Sequence, residues 1–151
     1  MTVNFRYDDK VRVGFTGTQA GLSSEQRATL TLWLEERSYG VNWFVHGDCV
    51  GADEQAAGIA RVLGWKLECF PSDRPDKRAY VKSDVVHDPA DPLDRNWNLA
   101  SQDILIACPL EDKEIKRSGT WSTVRRARKR GTLIVIIWRD GTIDRYGPDD
   151  V

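Results

Sequence analysis

Ile104-Leu105-Ile106-Ala107 is followed by Lys116-Arg117-Ser118-Gly119-Thr120-Trp121-Ser122-Thr123-Val124, a basic run from Arg125 to Arg130, and Leu133-Ile134-Val135-Ile136-Ile137-Trp138. Apolar run, polar turn, helix-favouring run and second apolar run read as strand, loop, helix and strand. The last run is apolar on both faces, which is the pattern of a central strand in a parallel sheet. A small polar turn that opens a helix after a buried strand also holds an anion at low cost. The first helical turn leaves N–H groups unpaired, and the helix dipole favours negative charge there.

The same rhythm runs through the chain before this unit. Val11 to Phe15 reads as a first strand ending in the turn Thr16-Gly17-Thr18. Ser23 or Ser24 can cap a helix that runs to about Arg37, with Leu30, Trp33 and Leu34 on its buried face and Gly40 at its end. Trp43-Phe44-Val45 is a second strand, closed by His46-Gly47-Asp48-Cys49-Val50-Gly51-Ala52-Asp53. A helix from about Ala52 to Leu63 and a strand Lys66–Phe70 follow. Short strands alternating with helices of this length imply right-handed crossovers and a parallel α/β sheet.

Pro71 to Pro92 interrupts the rhythm. It is rich in Pro, Asp, Lys and Arg, with a helical turn expected within Asp76–Lys82 and a short strand at Asp84–His87. A connection this long in a compact domain is often a lid or a subunit contact, the alternative being a disordered insertion. A helix from Pro92 to Ser101 resumes the alternation, and Asp140-Gly141 followed by Thr142–Tyr146 reads as a turn and a short C-terminal edge strand. Residues 1–10 are polar and aperiodic, a flexible arm, and residues 11–151 show no internal repeat or domain boundary.

Composition narrows the function classes. With 151 residues, 40% of them hydrophobic, the chain can bury one proper core. A net charge of -1 gives no global attraction to nucleic acid or anionic membrane. No apolar run reaches the roughly 18 residues of a membrane span, and the N-terminus lacks a signal-peptide core. Cys49, Cys69 and Cys108 are odd in number and widely spaced, which fits a reducing cytoplasm rather than a disulfide framework.

In open parallel sheets ligands bind at the carboxyl ends of the strands, where the strand order reverses. Turns at Gly14-Phe15-Thr16-Gly17-Thr18, Gly47–Asp53 and Ser118–Trp121 all belong to strand-to-helix connections, so they can meet around one nucleotide-like ligand. Ser118 caps, Gly119 allows close approach, and Thr120 and Ser122 add hydroxyls beside the positive Lys116 and Arg117. Carboxylates repel phosphate, so Asp48 and Asp53 call for a ribose hydroxyl, a base amine or a cation. Asp53 is expected to cap the following helix, leaving Asp48 as the ligand-facing acid. His46, Asp48, Cys49 and Asp53 match no common zinc spacing, so no metal is expected. Arg95 can clamp a phosphate and Asn96 can read an amide or base edge. Trp97 and Trp121 can stack on a purine. The cluster Arg125 to Arg130 reads either as a solvated helix face or as a nucleic-acid contact.

Taken in order, Gly14-Phe15-Thr16-Gly17-Thr18, His46–Asp53 with its Gly-x-x-x-Gly-Ala-Asp core, Arg95-Asn96 and Ser118-Gly119-Thr120 before Val124–Arg128 resemble the SLOG superfamily, most closely its small YspA-like members of bacteria and phages. The resemblance spans about residues 11 to 138. It implies a Rossmann-like three-layer α/β/α sandwich and a nucleotide-type ligand held by Gly14, Thr16, Gly17, Thr18, Gly47, Asp48, Gly51, Ala52, Asp53, Arg95, Asn96, Ser118, Gly119, Thr120 and Trp121. Related Lonely Guy phosphoribohydrolases carry a catalytic glutamate in Pro-Gly-Gly-x-Gly-Thr-x-x-Glu. Aligned on Gly119-Thr120, that position is Thr123 here. The expected function is therefore binding, as a sensor or sequestering module, and a homodimer is expected. The alternatives are an N-glycosidic-bond hydrolase using Asp48 or Asp53, and a DNA-binding accessory protein using Arg125 to Arg130.

Overall fold

The computed structural model describes residues 11–147. The expected arm at residues 1–10 lies outside them. The elements are β1 (Val11–Gly17), α1 (Ser24–Glu35), β2 (Asn42–His46), α2 (Ala52–Val62), β3 (Lys66–Cys69), β4 (Val85–Val86), α3 (Pro92–Ala100), β5 (Ile104–Cys108), α4 (Gly119–Arg130), β6 (Leu133–Ile137) and β7 (Ile143–Tyr146). The sheet runs β4-β3-β2-β1-β5-β6-β7, parallel except for β7, which pairs antiparallel with β6. This is the expected mostly parallel α/β sheet with a short antiparallel strand at its C-terminal edge.

Alternation along the strands builds two cores, one on each face. Val13, Phe15, Phe44, Leu67, Ile106, Val135 and Ile137 pack with Leu30, Trp33 and Leu34 of α1 and with Ala52, Ala56, Ala57 and Ala60 of α2. Leu105, Ala107, Ile134 and Ile136 point the other way, against Ala100 of α3 and Trp121, Val124 and Ala127 of α4. The helices therefore form a layer on each face of the sheet. Each fully buried Leu, Ile or Phe among these contributes on the order of 1.5–3 kcal/mol through removal from water.

Helix starts follow the local chemistry. Ser23 caps α1 in a reciprocal box with Gln26, Asp91 caps α3 ahead of Pro92, and Ser118 caps α4 through the Trp121 N–H. Gly131 ends α4 in the left-handed conformation, with φ of 76°. Among the described residues, no helix is long and apolar enough to cross a membrane.

The segment from Pro71 to Pro92 is an ordered strap. It contains a 3₁₀ turn at Pro75–Lys77 and the edge strand β4, close to the expected turn and strand. Its fastening is Asp48, which is fully buried and takes a left-handed backbone with φ of 57°. One carboxylate oxygen accepts from Arg78 Nε at 2.8 Å and the other from the Val81 N–H at 2.7 Å. The Asp48 carbonyl accepts the Ala79 N–H at 2.8 Å, and its own N–H is donated to His46 Nδ1 at 3.0 Å. That bond requires an unprotonated Nδ1, so Nε2 carries the proton and donates to Ser83 Oγ at 3.1 Å. Burial holds the His46 pKa down at about 4, consistent with a neutral ring.

Removing one partner of a buried ion pair leaves the other charge uncompensated. Asp48→Ala should therefore cost about 3 kcal/mol in denaturant unfolding. It should also speed tryptic cleavage at Lys77, Arg78 or Lys82. Unchanged stability together with unchanged cleavage would show that the strap stands without this anchor.

Candidate functional site

Sheet order reverses between β1 and β5, the two central strands, and a cavity of about 260 Å³ opens at their carboxyl ends. Parallel strands place all their strand-to-helix loops on this edge, and at the reversal those loops diverge to opposite faces and leave a crevice. Thr16, Gly17 and Thr18 at the end of β1 line it, with Asp53 from α2, Arg95 and Asn96 from α3, and Ser118, Gly119 and Thr120 at the start of α4. Gln19, Cys49, Leu99, Leu110, Glu111 and Arg117 complete the lining.

Turns far apart in the chain are tied together through backbone. Thr18 donates its N–H to the Cys108 carbonyl at 3.2 Å, and its carbonyl accepts the Ala52 N–H at 3.0 Å. Gly51, with φ of 92°, makes that approach possible, because a Cβ there would run into the Gln19 backbone. Gly47 has a different constraint: a Cβ would occupy the place of the Arg95 guanidinium. Arg95 Nη1 instead donates to the Gly47 carbonyl at 3.0 Å and lies 3.3 Å from Cys49 Sγ, while Nε donates to Asn96 Oδ1 at 3.1 Å. Among the described residues nothing pairs with Nη2, so one edge of the guanidinium is available to a ligand.

The two acids stand in reversed positions relative to the sequence reading. Asp48 lies outside the lining, committed to Arg78 and the strap. Asp53 does not cap α2, whose N-cap is Gly51 without a side-chain bond. It lines the cavity while only 3% exposed, and its Oδ2 accepts the N–H groups of Gly47 at 3.1 Å and Cys49 at 3.3 Å. Burial pushes its carboxyl up to about 6, with Arg95 and the two N–H donors pulling it back. Burial also pushes the Cys49 thiol up, so Cys49 is not an activated nucleophile.

Other expected ligand contacts fall elsewhere. Gly14 lies under the backbone of Leu99, Ala52 is in the core, and Trp121 is buried, donating from Nε1 to Glu111 at 3.0 Å. Gly14, Gly47, Asp48, Gly51, Ala52 and Trp121 all lie outside the lining. Thr123 is fully buried and donates its hydroxyl to the Gly119 carbonyl at 3.0 Å, bracing the first turn of α4. Arg125 and Arg128 grip Glu114, and Arg125 also donates to the carbonyls of Ile115 and Lys116. Arg126 lies over Trp97, 5.5 Å from its ring centre. Arg125 and Arg128 hold the loop that carries Glu111 and Arg117 to the cavity. Gln19, Leu99, Leu110 and Glu111 had no signal of their own in the sequence. Among the described residues no three His, Cys, Asp or Glu side chains cluster as metal ligands.

No protein-family profile matches the chain, and no curated protein matches it by sequence. Solved structures do. The likeness is one of fold. A molybdenum cofactor binding protein from the phototrophic bacterium Rippkaea orientalis superposes with a TM-score of 0.64 at 18% identity, over 86% of this chain and 77% of that one. TM1055, a structural genomics target, gives 0.60 at 17% identity over 82% and 72%. The Moco carrier protein from Chlamydomonas reinhardtii gives 0.59 at 18% over 85% and 76%. At these identities the shared property is a Rossmann-like fold.

The two shifted groups pull stability in opposite directions. Asp53, raised from 3.8 to about 6, holds its proton more tightly when folded, so its contribution is lost as pH rises across that interval. His46, lowered from 6.5 to about 4, contributes stability that is lost as pH falls across its interval. Asp53→Asn removes the first effect and keeps an oxygen for the two N–H donors. The variant should be more stable than the parent above pH 6 by up to about 3 kcal/mol, equal to it below pH 4, and more acid-sensitive in between. Chemical denaturation across pH measures this, and a variant less stable at neutral pH would make the carboxylate a net anchor.

Proposed function

We propose that the protein binds a nucleotide or nucleotide-derived small molecule in the cavity at the β1–β5 reversal, as a sensor or sequestering module. The observation that carries this reading is the convergence of the α4 N-terminus, Arg95 and Arg117 on one cavity. The first-turn N–H groups and the helix dipole favour an anion, the Ser118 and Thr120 hydroxyls can add donors, and the open edge of Arg95 suits a phosphate. The SLOG-like order of sequence blocks, closest to YspA-like members, supports the same reading. So do the molybdenum-cofactor binding and carrier proteins among the structures of like fold. The engagement of Arg125, Arg126 and Arg128 within the chain weighs against the DNA-binding alternative.

A second reading, hydrolysis of an N-glycosidic bond, is favoured by one feature: Asp53 is a buried acid in the cavity wall with its pKa near 6. In that case Asp53 rather than Asp48 would activate water at the sugar carbon. Thr123, where the Lonely Guy enzymes keep glutamate, cannot take that part because its hydroxyl is buried against Gly119. A homodimer belongs to the same proposal, supported by exposed Tyr80, Val85 and Val86 on the strap and edge strand.

Nucleotides, cyclic nucleotides and ADP-ribose derivatives should be screened by thermal shift, with each hit followed by chromatography for released base. A true ligand at a hundred times its Kd should stabilise the fold by about 2.7 kcal/mol. Intact ligand means a binder, and free base means the hydrolase. Arg95→Ala and Gly119→Val should each weaken binding at least about tenfold, by loss of the charged clamp or by filling the approach to α4. A Cβ at Gly119 meets no atom within 4 Å, so the fold should tolerate the valine. No shift by any compound on a well-folded sample would overturn the proposal.

A further inference from the structure

Asp53 is the least expected group in a cavity built for an anion. It lines the same space as Arg95, Arg117 and Ser118, yet a carboxylate repels phosphate. Only 3% of the residue is exposed, so its charge is poorly hydrated and must be met by protein or ligand. Protein meets it in part. Oδ2 takes the N–H groups of Gly47 and Cys49. Among the described residues nothing donates to Oδ1. The neighbouring cation does not pair with it either, because Arg95 Nη1 is directed to the Gly47 carbonyl and Cys49 Sγ. An acceptor oxygen that keeps its access to the cavity on an otherwise buried residue, with its twin fully used, is placed to take a donor from the ligand.

We propose that Asp53 Oδ1 accepts a hydrogen bond from a sugar hydroxyl of the ligand, so that the site takes hydroxylated sugar phosphates, ribonucleotides above all, in preference to their deoxy counterparts. This rests on the reading of the cavity as a phosphate-holding site. Its size points to the sugar rather than the base as the source of the donor. At about 260 Å³ the cavity falls just under the span of roughly 300–1,000 Å³ usual for ligand sites. A group that reaches Asp53 while a phosphate sits on α4 is therefore close to that phosphate in the ligand, as ribose hydroxyls are. Rejection follows from the same geometry. A ligand lacking the hydroxyl leaves a buried charge unpaired, which is costly in a way that a missing apolar group is not.

The test is calorimetric titration of the full chain with pyrophosphate, ribose 5-phosphate, AMP, and the 2′-deoxy, 3′-deoxy and 2′,3′-dideoxy forms of AMP. AMP should bind at least about tenfold more tightly than the dideoxy form, and one monodeoxy form should carry most of that loss. Asp53→Asn, which leaves no buried charge to be stranded, should narrow the preference for AMP over dideoxy-AMP and bind pyrophosphate no more weakly than the wild type. Equal wild-type affinity for AMP and its dideoxy form overturns the proposal, as does a preference undiminished in Asp53→Asn. The wild-type deoxy series stands even if the variant folds poorly. Binding of pyrophosphate without any sugar phosphate removes the hydroxyl role and leaves the anion site. Failure of pyrophosphate, ribose 5-phosphate and AMP alike removes the phosphate-holding reading, and the hydroxyl assignment falls with it.

Discussion

Thr18 donates its N–H to the last carbonyl of β5 and accepts, through its own carbonyl, the N–H that opens α2. One residue thereby joins the ends of β1 and β5 to the turn after β2, and each of these delivers side chains to the cavity. The hydrogen bonds are short-range and directional, so small displacements of any one loop would break them. Gly51 is what permits the contact, since any side chain there would strike Gln19. The crevice at the strand-order reversal is a general property of such sheets. Its shape in this protein is set by this junction.

Around the junction, charges are divided between structure and site by burial. Asp48 and Asp53 are five residues apart in one turn and both buried, but they do different work. The left-handed backbone at Asp48 turns its carboxylate toward Arg78 and the strap, where both oxygens are used. Asp53 enters from the first turn of α2, where the helix N-terminus favours a carboxylate, and only one of its oxygens is used by the protein. The same division holds on α4. Its first turn faces the cavity, while Arg125 and Arg128, further along, fasten the preceding loop through Glu114.

The strand and helix pattern was readable because it is carried by local periodicity. Leu133–Ile137 is apolar on both faces since both faces are covered, and Ser23, Asp91 and Ser118 occupy cap positions that their hydroxyl or carboxylate chemistry favours. Much of the candidate site was readable for a related reason. Small polar turns after strands stand at the carboxyl edge of any parallel sheet, which brings Thr16–Thr18 and Ser118–Thr120 to the cavity. Arg95 and Asn96 were recognisable as polar residues in the first half of α3.

Local sequence could not decide where side chains point within a turn. The sequence by itself determined the α/β class, the element order and the turns that could face a ligand, because these depend on periodicity, capping and glycine placement within a few residues. Only the tertiary structure decided that Asp53 rather than Asp48 meets the cavity, that Trp121 belongs to the core, and that Glu111 reaches the site. Those outcomes depend on one positive φ at Asp48, on an arginine thirty residues away that claims its carboxylate, and on a loop held by the far end of α4. Such partners are distant in sequence, and their competition for each acid is resolved only when the chain is packed.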